Sequence, residues 1–410
     1  MILDAGLVGR KDVRISVGTG LLVLVAFEAS LLGSGRLLEI GPLTLKMWLF
    51  LAAQVYVIIR LIALGRVKLS TFAFLLSFTL LLLFGATIGL LQHSTMQLIG
   101  EDVSPLLYCI MLIFFEMVVK TEKHIRLIVR IIEFASVLMS IASLVVLTLL
   151  FLGVLSFLTL YGWLTLSSQE FFFRGQTGMF FYKGALYVGI GLIYFAFERN
   201  RFAKLAVVLT FIGLVATGTR GFFVDMAAII LVHVATGGLS LGKKVKYIGL
   251  LCISALVMLI IYQMAASNNV ENVESDNVRV ETLHQVNDRI TPLSFVFGNG
   301  LGVGVPIRPE HMETAYMEIF HKQGLLGLTW WASVFMLLLM RYRKARRVNY
   351  LSAQPLFLSV IFVIVQSITN PFVNNPIGIF VWIFALVGLD IVSKNSSSAK
   401  LLKHRDCAAS

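Results

Sequence analysis

Arg220 stands in the stretch "ATGTRGFFVD", residues 216–225, between two apolar runs. A guanidinium at a bilayer centre costs about 2.5–3.5 kcal/mol on insertion scales, and less toward the interface. An arginine at such a place therefore faces protein or water, and it is a candidate for function. "GTRG" also opens an apolar helix. Free backbone N–H groups at a helix start favour an anion, and the planar guanidinium fork matches phosphate oxygens. The chemistry on offer is the binding of a phosphate group. Arg174 and Lys183, in "FFFRGQTGMFFYKG", and Arg279, Arg289 and Arg308 further along are the other cations that would join such a cluster. For each of these taken singly, the competing reading is an ion pair with a carboxylate or a side chain reaching to lipid headgroups.

A second stretch, "FGNGLGVGVPIRPEHMETAYMEIFHKQGLLGL", begins at Phe297. Its alternating glycines, 298, 300, 302 and 304, read either as a flexible turn or as backbone that admits a bulky substrate. They are no dinucleotide fingerprint, because no strand–helix context surrounds them. The residues that follow are expected to form a helix carrying Glu310, His311, Glu313, Tyr316, Glu318 and His321. Helical spacing puts Glu310, Glu313 and Met317 on one face and His311 with Glu318 on another. A carboxylate within hydrogen-bond reach of a hydroxyl can act as a general base; the competing reading is a solvated polar helix at the membrane interface. No His/Asp/Glu set here has a metal-ligand spacing, so neither a metal nor a cofactor is expected. "HKQG" followed by "LLGL" reads as the launch of a span. Glu116 is expected at the cytoplasmic end of its span. Glu28 and Asp225 lie in the outer half, either as partners for an arginine or as part of an active cavity.

The elements that position these residues are membrane spans. Of the 410 residues, 58% are hydrophobic and 14% charged, far from the balance of a soluble domain. The apolar residues fall in blocks of roughly 20, the length of a membrane-crossing helix. Hydropathy places twelve spans at about 15–33, 43–64, 70–91, 103–119, 127–151, 177–197, 203–217, 221–240, 246–266, 322–340, 354–369 and 376–392. With that alternation, 25 of the 34 lysines and arginines fall on one side and nine on the other. Positive charge marks the cytoplasm, so both termini are expected there. The net charge of +12 thus follows from topology, and no nucleic-acid partner is expected. Cys109, Cys252 and Cys407 make no disulfide framework, and the first apolar run reads as a retained span. The expected fold is an all-α polytopic membrane protein. Its organisation is N-terminal helices and a first outer segment to 176, spans at 177–266, a large outer loop at 267–321, spans at 322–393 and a disordered cytoplasmic tail at 394–410.

"ATGTRGFF" is similar to the T-G-S/T-R-G segment of the bacterial O-antigen polymerases and ligases, the Wzy/WaaL group. "FGNGLGVG", followed by an acid, a tyrosine and "KQGLLGL", resembles the second motif of that group, where the large periplasmic loop re-enters the membrane. The resemblance covers roughly residues 170–330. It implies a GT-C-like, metal-independent integral glycosyltransferase of the inner membrane, acting in the periplasm on undecaprenyl-diphosphate-linked oligosaccharide. Ligases carry a histidine three residues before the tyrosine. Here that position is Glu313, three before Tyr316, which resembles the polymerases, while His311 lies two residues off. The resemblance implies Arg220 and Glu313 as catalytic residues, Arg279, Arg289, Lys183 and Arg174 at the diphosphate, and Tyr316, Arg308 and His311 at the glycan. Membrane lipid and a chain-length regulator protein are expected partners. The competing functions are a ligase transferring glycan to lipid A-core and, in another class, a lipid-linked sugar flippase or transporter.

Overall fold

The computed structural model describes residues 16–33, 38–41, 43–64, 67–167, 171–174, 179–237, 240–242, 244–246, 248–249 and 270–408; at 64, 165–167, 172–174, 179–181, 220, 270–276 and 395–408 it describes the backbone alone. Helices dominate: α1 (Val17–Leu31), α2 (Leu45–Leu64), α3 (Leu69–Leu91), α4 (Met96–Leu106), α5 (Met111–Val118), α6 (Glu122–Phe151), α7 (Phe157–Ser167), α8 (Leu186–Phe197), α9 (Arg201–Ala216) and α10 (Arg220–Thr236). After a gap follow α11 (Val270–Asp288), α12 (Pro292–Phe297), α13 (Ala315–Val348), α14 (Tyr350–Gln366) and α15 (Pro376–Ala408). Among the described residues six helices are long and apolar enough to cross a membrane, and four shorter apolar helices accompany them. The chain is an all-α membrane protein.

Local signals explain the ends. Ser16 caps α1 by accepting the Thr19 N–H at 3.2 Å, and Asn200 caps α9 by accepting from Ala203 at 2.6 Å. The span Met96–Val118 is continuous in hydropathy but not in helix: Pro105 lies inside α4, and the chain passes through a 3-10 turn, Leu107–Ile110, before α5. Proline removes one helical N–H and crowds the preceding turn, which accounts for the break.

Three expectations need correction here. The stretch read as the start of the sixth span, from 177, is instead a small antiparallel hairpin, β3 (Phe171–Arg174) with β4 (Met179–Tyr182); α8 begins only at Leu186. Aromatic residues suit a pleated strand. The expected helix from Glu310 begins instead at Ala315. α15 continues to Ala408, through the segment read as a disordered tail. A shorter hairpin, β1 (Glu39–Ile40) with β2 (Leu43–Thr44), joins α1 to α2. The expected ninth span, 246–266, lies almost wholly outside the described residues, as does Cys252.

The first turns of α15 form the centre of the bundle, with 83% of its most apolar window buried. Phe380 and Phe384 are buried there with Phe114, Phe115, Phe362 and Tyr187, and the Tyr187 hydroxyl donates to the Ile377 carbonyl at 2.7 Å. Between lipid-embedded helices the hydrophobic effect drives little, so close packing over small residues must hold them together. Gly189 and Gly191 on α8 supply that: a methyl at Gly189 would lie 2.2 Å from the Phe362 ring, and one at Gly191 2.2 Å from the Ser136 hydroxyl.

The long helix α3, 23 residues and therefore about 34 Å, links the two ends of the bundle. At its start Lys68 pairs with Glu116 at 2.9 Å and Asp390 at 3.2 Å. Glu116 itself lies near the end of α5. At its far end, Gly85 and Gly89 receive the glycine-rich loop. Glu28 pairs with Lys46 at 3.7 Å.

Candidate functional site at one end of the bundle

The site is built on a break in α13. Gly324 has φ 63° and ψ −159°, so the helix divides there into a short N-terminal piece and a long span. A break of this kind releases the carbonyls of the preceding turn. Two of them are met by the glycine-rich loop: Asn299 N–H donates to His321 O at 2.8 Å and Gly300 N–H to Lys322 O at 3.0 Å, while Leu301 N–H donates to Gly85 O on α3 at 2.9 Å. Gly298, Gly300 and Gly302 all have positive φ. A Cβ on Gly300 would sit 2.2 Å from the Gly89 nitrogen, and one on Gly89 2.0 Å from the Leu301 carbonyl oxygen. The glycines therefore let backbone dock on backbone. Neither a flexible turn nor an opening for a bulky substrate describes this stretch, because α3 and α13 fill the space beside it.

The docked loop brings Gly302 N–H to the Asp102 carboxylate of α4 at 2.6 Å. Asp102 also accepts from the Lys322 ammonium at 2.6 Å, and Lys322 in turn donates to Glu318 at 2.8 Å and to the Glu310 carbonyl at 2.7 Å. Glu318 takes a further bond from Asn374 at 2.9 Å. Lys322, Asp102 and Glu318 are buried, at 3%, 6% and 6% side-chain exposure. Burial of three charges is tolerable only because each is paired and hydrogen-bonded. His311 rests on this cluster, half exposed, with Nδ1 3.3 Å from Glu318 and 3.5 Å from Asp102. Its hydrogen bond to the Glu318 carboxylate raises its pKa above the ordinary imidazole value. Asp102, His311 and Glu318 hold oxygen and nitrogen atoms within 4.8 Å of one another, as metal ligands would be. The Lys322 ammonium bonds both carboxylates.

Next to the cluster, Glu313 sits in the non-helical segment just before Thr314, the N-cap of α13. One of its oxygens accepts from Arg279 Nε of α11 at 2.8 Å. The other accepts from Arg308 Nη2. The three side chains are each about one-third exposed and line a shallow surface cleft with Thr282, Thr314 and Met317. No side chain caps the α13 N-terminus.

The other expected site residues are placed as follows. Arg289 donates to the Gly304 carbonyl at 2.7 Å and so braces the loop. The Tyr316 hydroxyl donates to the Ile364 carbonyl at 2.7 Å, tying α13 to α14. Arg220 is the first residue of α10, and its side chain lies outside the described residues, as does that of Arg174 at the end of β3. Its neighbour Gly221 packs on Gln366 and Thr369: a Cβ there would lie 2.9 Å and 3.2 Å from their side-chain oxygens. Ala315 N–H donates to Ser367 O, so the turn after α14 joins the "TGTRG" helix start to the start of α13. Lys183 sits half-buried in a 3-10 turn next to Tyr182, whose hydroxyl donates to Leu31 O at 2.9 Å. No described contact brings Lys183 to Glu313. Asp225 and Gln366 are buried with side-chain atoms that make no hydrogen bond.

Helices of membrane-spanning length and a charged cluster at one end of the bundle define a polytopic membrane protein. No family model matches the chain. Compared with curated proteins, it is 27% identical over 393 residues to the O-antigen polymerase of Shigella flexneri, a match covering 92% of this chain and 98% of that protein. The resemblance to the O-antigen polymerase family is supported along nearly the whole chain, beyond the two motifs that first carried it.

Proposed function

We propose that this protein is an inner-membrane glycosyltransferase that polymerises undecaprenyl-diphosphate-linked oligosaccharide repeats into a surface polysaccharide of the O-antigen type. A growing glycan moves from its lipid diphosphate to a hydroxyl of another lipid-linked unit, and undecaprenyl diphosphate leaves. Both termini lie in the cytoplasm, twelve spans cross the membrane in a GT-C-like arrangement, and the site faces the periplasm. The observation that carries the reading is the pair of guanidiniums, Arg279 and Arg308, converging on one anionic group beside an uncapped helix start. Cations placed beforehand at a leaving diphosphate stabilise the charge that develops there without a metal. Arg220, at the start of α10, is the first candidate for the same task, with Lys183 and Arg174 as further cations. The acceptor hydroxyl loses its proton to Glu313. His311 contacts the glycan, Tyr316 and Arg289 hold the walls of the site, and a chain-length regulator binds the assembled enzyme.

A host lacking the gene tests this reading against its nearest competitor. Loss of a polymerase leaves single repeat units on the surface lipid, and plasmid-borne protein restores a ladder. Loss of a ligase leaves no repeat unit at all.

A further inference from the structure

Glu313 lies between Arg279 and Arg308. It comes from a short irregular segment, not from a helix face, and can turn away without breaking a helical hydrogen bond. The arginines come from two different elements, α11 and the loop between α12 and α13. Like charges brought together need an anion between them, and the cleft they line is open to solvent. The start of α13, which no side chain caps, lies at the same place, where Thr314 and Met317 line the cleft; its first N–H, that of Ala315, is bonded to Ser367 O. Two guanidiniums and a helix start suit a group with more oxygens and more charge than one carboxylate.

We infer that Glu313 occupies a diphosphate site in the resting protein, and that a diphosphate ester displaces it. This rests on the proposed function and adds an order of events to it. In the resting protein both Glu313 oxygens are engaged by guanidiniums. When the diphosphate takes Arg279 and Arg308, the carboxylate is released next to the bound substrate. It then accepts the proton of the acceptor hydroxyl. The hydroxyl oxygen bonds to the anomeric carbon, the bond from that carbon to the diphosphate oxygen breaks, and its electron pair leaves with the diphosphate. The base is available only when donor is bound.

The test uses the full chain in lipid nanodiscs, with inorganic pyrophosphate and farnesyl diphosphate as probes in a calorimetric binding assay. Glu313→Gln keeps the shape but removes the competing charge. It should bind both probes about tenfold more tightly than wild type, the effect of removing a competing ion pair of roughly 1.4 kcal/mol, yet extend glycan more slowly. Arg279→Gln and Arg308→Gln should each lose binding. A lipid-borne ligand predicts that farnesyl diphosphate outbinds pyrophosphate in every variant that binds; the reverse order points to a soluble diphosphate. Glu313→Gln binding no better than wild type overturns the inference. If that variant unfolds, Glu313→Ser is measured in its place, with the same outcomes decisive. Tighter probe binding without any glycan extension by wild type would keep the displacement and remove the polymerase reading, so the two fail separately.

Discussion

Lys322 gives the sharpest energetic prediction. Its ammonium makes three bonds, to Asp102 at 2.6 Å, Glu318 at 2.8 Å and the Glu310 carbonyl at 2.7 Å, and its side chain is 3% exposed. Lys322→Met keeps the length and removes the charge. Asp102 and Glu318 are then left as two buried anions with His311 as their remaining cationic neighbour. Removing one partner of a buried pair costs about 3–5 kcal/mol, because the charge left behind cannot return to water. Neutralising those charges should recover most of that, since a buried ion pair differs little in stability from a neutral packed replacement. The triple variant Lys322→Met, Asp102→Asn, Glu318→Gln should therefore be more stable than Lys322→Met alone by about 3 kcal/mol. Unfolding free energies in mixed detergent–SDS micelles measure this as a mutant cycle. The reasoning is refuted if Lys322→Met lies within about 1 kcal/mol of wild type, or if the triple variant is no better than the single one.

Gly300→Ala should disrupt the docked loop and cost at least about 2 kcal/mol, since φ is +97° and a backbone nitrogen of α3 blocks the methyl. Gly153→Ala, also at positive φ but with nothing within 4 Å, should cost only about 1 kcal/mol; melting in detergent compares them. His311 has a folded pKa raised by Glu318, so its ion pairing stabilises the protein fully below the unfolded value of about 6.5 and fades as pH rises through the folded value. The melting difference between wild type and His311→Gln should shrink with rising pH, and a difference that grows would reverse the sign. Arg220→Ala should insert and reach normal abundance while losing chain extension by at least about 100-fold, the scale of one lost charge-stabilising donor; immunoblots and surface-glycan gels read the two quantities.

Much of the scaffold was readable in the sequence because a span leaves a continuous local signal. α1, α2, α3 and α9 begin and end within about two residues of the hydropathy blocks. The hairpin at 171–182 was hidden because its aromatic run is as apolar as a helix, and periodicity cannot separate the two in so short a segment. The start of α13 was misplaced because His311 and Glu318 do meet, as helical spacing suggested, but through a loop folding back on the helix. Asp102 carried no sequence signal at all: its partner Lys322 is 220 residues away, and only the break at Gly324 creates the seat for the loop between them. Glu318 and Lys322, at i and i+4, could have been paired by spacing. The convergence of Arg279 and Arg308 on Glu313 depends on how α11 lies over the loop, which no local pattern encodes.

The most direct measurement incubates the purified protein, reconstituted in nanodiscs, with undecaprenyl-diphosphate-linked repeat units, and separates the products by size. A ladder of lipid-linked oligomers, together with released undecaprenyl diphosphate, is the predicted result. Units that stay single while the protein moves them across a bilayer, or passes them to lipid A-core when that is supplied, would contradict the account.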